Sequence, residues 1–151
     1  MATKRFSASE IVVQLDRALL DDYGETAFAI LRNLIFASPV GDPTRWQNPN
    51  AAPPGYAGGH FRRNWIVSIG GFDDAVIPGI DPAGAPTAAA GKQKIDTFVA
   101  RGKPGPNLII QNNVPYANRL AQGHSTQRKA GWVNTAVELA LGTPGGRKEL
   151  P

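Results

Sequence analysis

SEIVVQLDRALLDDYGETAFAILRNLIFA, residues Ser9 to Ala37, is the stretch that decides the fold. Stepping from Val12 by 3.6 residues lands near Leu15, Leu19, Tyr23, Ala27, Ile30, Leu34 and Ala37, and Ile11, Ala18, Leu31 and Ile35 widen the same stripe. Its acids, with Arg17 and Arg32, fall mostly off that stripe. Ser7 or Ser9 is placed to cap the start, and Glu10 sits in the first turn, where a carboxylate is favoured. Gly24 weakens propensity without breaking phase, which predicts at most a bend. A continuous helix over 9–37 is on the order of 40 Å long. A helix of that length needs something broad beneath its apolar stripe, and a β-sheet is the expected support.

Ser38-Pro39 ends the periodicity, since a proline removes a helical donor and restricts the residue before it. Residues 39–59, PVGDPTRWQNPNAAPPGYAGG, hold five prolines and four glycines and read as an extended loop or arm, with Trp46 and Tyr56 as anchors. Beyond it, residues 60–141 read as a sheet with two short helices. Trp65, Val67 and Ile69 alternate with Asn64, Ile66 and Ser68, which predicts a strand closed by Gly70-Gly71. Residues 73–86 carry turn chemistry. A helix is expected over 88–101, a short buried strand over 108–111, a helical turn over 115–120, and a last helix or helix–strand mixture over 130–141. Residues 142–151, GTPGGRKELP, read as a flexible tail. The expectation is one α/β (α+β) domain over 1–151: a long N-terminal helix on a small, mostly antiparallel sheet with long Gly/Pro-rich loops.

The bulk composition narrows the function. A chain of 151 residues can bury roughly two thirds of the surface it exposes when unfolded, so it needs no covalent staple. It has no cysteine, which removes disulfides and thiolate metal ligands. MATKRFSASE shows no apolar run behind its charges, and no stretch approaches the roughly 20 apolar residues that span a bilayer. A protein made in a cytoplasm, without membrane partners, is expected. The net charge of +4 arises from 16 Lys and Arg against 12 Asp and Glu, scattered along the chain. Phosphate-driven binding usually relies on a concentrated basic face, and none is visible.

The catalytic inventory is thin. His60 and His124 are the two histidines, and no HExxH, GxSxG or GxxxxGK[ST] pattern occurs. His124 and Ser125 are adjacent, whereas triad members usually come from separated elements. Asp21-Asp22 reads as a solvated helix face and Asp73-Asp74 as turn chemistry. The expectation is no enzyme, no cofactor, no metal and no small-molecule substrate. Conspicuous instead are aromatic residues in loops: Trp46, Tyr56, Phe61, Phe72, Tyr116 and Trp132. Such rings either anchor protein–protein contacts or pack under their own loops.

Two blocks carry a resemblance. PPGYAGGHFRRNWIVSIG (Pro53 to Gly70), preceded by Pro39-Val40, and NNVPYANRLAQGHSTQRKAGWV (Asn112 to Val133) resemble segments of the tailed-phage neck and tail-completion proteins of the HK97 gp10-like family. The first likeness runs through Pro39, Val40, Gly59, Phe61, Arg62, Asn64, Trp65, Ser68 and Gly70. The second runs through Asn113, Pro115, Tyr116, Ala117, Leu120, Gly123, Ser125, Gln127, Gly131 and Val133. The chain departs from the family pattern in two places. Residues 41–58 replace a short turn, and Arg128-Lys129 follows Gln127 where an apolar residue or proline is common.

The resemblance implies a structural virion protein, made in the bacterial host cytoplasm and incorporated at the head–tail joint. It would form a homo-oligomeric ring, with a hexamer as the expected state, and dock adaptor or stopper proteins and tail-tube or tail-terminator proteins. A tail terminator and a head-closure stopper are sibling readings. A nucleic-acid-binding virion or scaffold protein is the reading from another class, and a small hydrolase using His60, His124 and Ser125 is a further rival.

Pro115 presets the turn that aims Tyr116, Gly123 allows a reversal with φ > 0, and Ser125 and Gln127 can bond backbone in it. Arg119, Arg128 and Lys129 are placed to meet a neighbouring subunit or packaged DNA transiently nearby; the small charge excess favours the subunit. The candidate subunit and partner interface is Trp46, Tyr56, Arg62, Arg63, Tyr116, Arg119, His124, Gln127 and Arg128.

Overall fold

The computed structural model describes residues 8–142. The expected Ser7 cap and the expected flexible tail from residue 143 onward lie outside them. Helix α1 spans Ala8–Ala37. The Pro/Gly arm follows with two single 3-10 turns, Pro43–Arg45 and Pro49–Ala51, each opened by an Asx residue whose side chain accepts from the amide two residues on. A short helix α2 (His60–Arg63) leads into strand β1 (Trp65–Ile69). Helix α3 (Ala85–Ala100), strand β2 (Leu108–Asn112), helix α4 (Ala117–Ala121) and helix α5 (Trp132–Leu141) complete the order. The region 60–141 thus holds four helices where two were expected, and 130–141 is helix rather than a mixture. Strands β1 and β2 pair antiparallel, with Trp65 opposite Asn112 and Ile69 opposite Leu108.

The architecture is the α+β one expected: a long helix packed on a small antiparallel sheet together with other helices. The support of the helix is more helical than the sequence suggested, because α1 packs chiefly on α3 and α5 and a two-stranded sheet is too narrow to carry it alone. The buried line along α1 is Leu20, Gly24, Ala27, Leu31, Leu34 and Ser38, a 4-3-4-3-4 spacing. That is the seam by which one helix packs along others. The stepping from Val12 drifts off it, so Leu19 and Tyr23, expected inside, are 67% and 47% exposed.

Two glycines set how closely α1 and α3 approach. A Cβ on Gly24 would lie 2.5 Å from Val99 Cγ2, and one on Gly91 would overlap Leu31 Cδ2 and sit 3.2 Å from Val67 Cγ2. Gly24 is therefore a packing residue inside a continuous helix. Leu31 is fully buried and has nowhere to retreat. Gly91→Val is expected to lower unfolding free energy by at least about 2 kcal/mol, despite the gain in backbone entropy, as an overpacked core does. Urea denaturation measures it, and an unchanged midpoint would refute the tight crossing.

One face of the sheet, through Trp65, Val67, Leu108 and Ile110, joins the core with α1, α3 and α5. The opposite face is roofed by the loop after β1. Gln111 and Asn113 both donate to the Asp73 carbonyl, Asn113 also donates to the Ala75 carbonyl at 2.8 Å, and Asp73 N donates to Gln111 Oε1 at 3.2 Å. Fully buried Asn64 accepts from Ile77 N at 2.7 Å and donates to the His60 and Ile77 carbonyls. Side-chain amides here do the work of a third strand's backbone. Among the described residues no helix is long and apolar enough to cross a membrane.

Candidate functional site

The end of α1 organises the candidate site. Pro39 stops the helix without a glycine cap, so its last carbonyls need donors from elsewhere. Ser38 N and Oγ both serve the Leu34 carbonyl, at 3.1 and 2.6 Å. Arg62 donates to the Phe36 carbonyl at 3.3 Å, the Ser38 carbonyl at 2.9 Å and the Pro82 carbonyl at 2.5 Å. Arg128 Nε donates to the Ala37 carbonyl at 2.5 Å. Two guanidinium groups thus sit at the negative end of the helix dipole. Burial acts first on Arg62 to lower its pKa, and the nearby Arg128 charge adds to this, against the attraction of Asp81.

The same stretch is bolted to the Asn112–Val133 segment. Val40 N donates to Gln127 Oε1 at 2.9 Å and Gln127 Nε2 donates to the Val40 carbonyl at 2.6 Å, an amide imitating a strand partner. The segment that holds Gln127 is shaped by Gly123, whose φ of 86° is the reversal expected; a Cβ there would lie 2.5 Å from Ala130 N. Ser125 Oγ accepts from Gln127 N at 3.2 Å.

Between the two segments opens a cleft of about 760 Å³. The arm from Pro39 to Gln47, with Tyr56, makes one wall; Tyr116 to Gln127 makes the other; Gly59, His60 and Phe61 lie between them. Trp46 stands edge-on to Tyr56 with centroids 5.1 Å apart. Phe61 is 5% exposed and anchors the base, touching the rings of Trp65, Tyr116 and Trp132 at 5.8, 6.4 and 6.1 Å. Trp65 Nε1 donates to Ser38 Oγ at 2.7 Å and Trp132 Nε1 to the Leu120 carbonyl at 3.0 Å, so both buried indoles are satisfied. Tyr116 is half-exposed, and burial, with the Tyr56 phenol close by, raises its pKa.

Of the nine sequence-derived interface residues, Trp46, Tyr56, Tyr116, Arg119, His124 and Gln127 line this one cleft. Arg62, Arg63 and Arg128 do not. Arg62 and Arg128 cap α1 as described, and Arg63 Nε donates to the Pro78 carbonyl at 2.7 Å. Carbonyls of the same chain engage Arg62 at the helix end and Arg63 in a loop. Both histidines line the cleft. His60 Nδ1 lies 2.8 Å from the Gly79 carbonyl, which can only accept, so the proton is on Nδ1. No group of three His, Asp or Glu able to hold a metal occurs among the described residues.

The sequence reading missed the structural roles of four supporting residues. Asp42 caps its turn through Thr44 N and Oγ1, at 3.0 and 2.7 Å, and pairs with Arg45 at 3.4 Å. Asp-Pro-Thr was a legible signal for that turn. Asn64 and Asp81 are buried in loops where periodicity says nothing. Asn33 donates to the Ala136 carbonyl at 3.0 Å, locking α1 to α5 from within the helix seam. No protein-family model, curated protein or solved structure matches the chain.

Proposed function

We propose that the chain is a structural assembly protein, and specifically a virion component that rings the head–tail joint of a tailed phage and docks connector and tail proteins. The observation that carries the docking part is the collection of six interface candidates from distant segments on one open cleft. Its walls are held by the Gln127–Val40 amide clamp and the Arg128–Ala37 bond. Preformed walls bearing aromatic side chains suit recognition, since little order has to be imposed on binding. The phage assignment is supported by the two sequence blocks, whose members Phe61, Asn64, Trp65, Tyr116, Gly123 and Gln127 all work around this site or its base. Exposed Leu19 and Tyr23 on α1, with Leu141 on α5, offer apolar surface for neighbouring copies, and head-to-tail contacts between copies close into rings.

Tyr116→Ala tests the reading. The ring is half outside the core, so the variant is expected to keep its fold by circular dichroism. It is expected to weaken self- or partner association by about thirtyfold, the loss of an aromatic anchor worth about 2 kcal/mol. Light scattering across a concentration series measures it, and association unchanged from wild type would remove the cleft from assembly.

A further inference from the structure

We infer that the cleft receives an extended acidic peptide segment of a partner protein, with one of its carboxylates paired to Arg119. This rests on reading the cleft as a docking site. The charged side chains lining it are Arg45, Arg119 and Asp42, with the two imidazoles beside them. Asp42 is already spent on the Thr44 amide and hydroxyl and on Arg45, 3.4 Å away. Arg119 forms no ion pair among the described residues, and it is exposed. A planar guanidinium facing an open cleft matches a carboxylate in two parallel hydrogen bonds.

The rest of the cleft recognises chain rather than charge. Trp46 and Tyr56 present ring surface held in a T-shaped pair, and Tyr116 is braced on Phe61, so an extended backbone can lie against them with little rotamer loss. His60 has Nδ1 committed to the Gly79 carbonyl, which leaves Nε2 for the occupant. About 760 Å³ accommodates a few residues. A nucleic acid is disfavoured, because backbone-tracking grooves present a row of cations and this cleft has one unpaired guanidinium.

Trp46 supplies the readout, since Trp65 and Trp132 are buried at 8% and 7% exposure and Trp46 lines the cleft. The full-length chain is titrated with a short capped peptide of alternating glutamate and alanine, with its lysine counterpart, and with single-stranded oligothymidylate. The expected result is a saturable change in tryptophan emission with the glutamate peptide and none with the lysine peptide. Arg119→Gln, at an exposed position, is expected to weaken that binding about tenfold with the fold intact. Absence of a saturable response to the glutamate peptide, equal binding by Arg119→Gln, or tighter binding of oligothymidylate would each overturn the inference. If the glutamate peptide fails while Tyr116→Ala still impairs association, the acidic-peptide inference falls and the docking reading stands. If both fail, the docking reading falls too.

Discussion

Phe61→Ala is expected to lower the free energy of unfolding by about 3–5 kcal/mol, the range for deleting a buried aromatic ring. Phe61 is 5% exposed and its ring meets Trp65, Tyr116 and Trp132, drawn from β1, the turn before α4, and α5. Neither indole can collapse into the void without leaving its own hydrogen-bond partner. Trp65 is bonded to Ser38 and Trp132 to Leu120, so the cavity stays open and its full cost is felt. Because Phe61 also forms the base of the cleft, the variant should lose the proposed docking along with stability. Urea unfolding followed by fluorescence reads the first effect. A loss under about 1 kcal/mol would show that the ring is not the hub of this cluster.

Asp81→Ala is expected to cost about 2–4 kcal/mol, as when a buried carboxylate is stripped from the donors it satisfies. Asp81 is 4% exposed and accepts from Gly84 N at 2.7 Å, Thr87 N at 2.9 Å and Thr87 Oγ1 at 2.5 Å. It thereby serves the first turn of α3, whose own N-cap, Gly84, has no side chain to do so. Burial pushes its pKa up, but the Thr87 and Gly84 hydrogen bonds and the Arg62 charge outweigh burial and hold the carboxyl below the ordinary value. The unfolded chain therefore binds this proton more readily than the folded one. The stabilisation is present above the unfolded carboxylate pKa, near ~3.9, and is lost as pH falls through the lower folded value. Wild type should lose its advantage over Asp81→Ala as the pH drops below about 4, and an advantage that persists undiminished there would contradict this.

The long helix was legible because apolar spacing persists over its whole length, and the strands because Trp65 to Ile69 and Leu108 to Ile110 are short, mostly apolar runs rich in β-branched residues, with Gly70 closing the first and Pro106 shortly before the second. What covered the helix was not. Choosing a phase from Val12 put Leu19 and Tyr23 inside, whereas the seam actually passes through Gly24 and Ser38, small residues that a count of apolar positions passes over. Six of the nine interface candidates were found by looking for aromatic and polar residues in stiff loops, and they converge because those loops are tied together. The intrachain roles of Arg62 and Arg128 were not legible, because a helix stopped by proline without a C-terminal glycine leaves carbonyls that side chains from elsewhere satisfy, and Arg63 donates instead to a loop carbonyl, that of Pro78. The bonds of Asn64 and Asp81 were invisible because they join loop segments without periodicity to Ile77 and to the first turn of α3.

On the proposed docking reading, the arm, the clamp and the cleft form a surface built before its occupant arrives. Electron microscopy of the intact particle carrying this chain tests that most directly. The account predicts a closed ring of copies at the head–tail joint, with Trp46, Tyr56, Tyr116 and Arg119 covered by a neighbouring protein. A map in which the chain is missing from the particle, or in which that cleft faces open solvent, would contradict it.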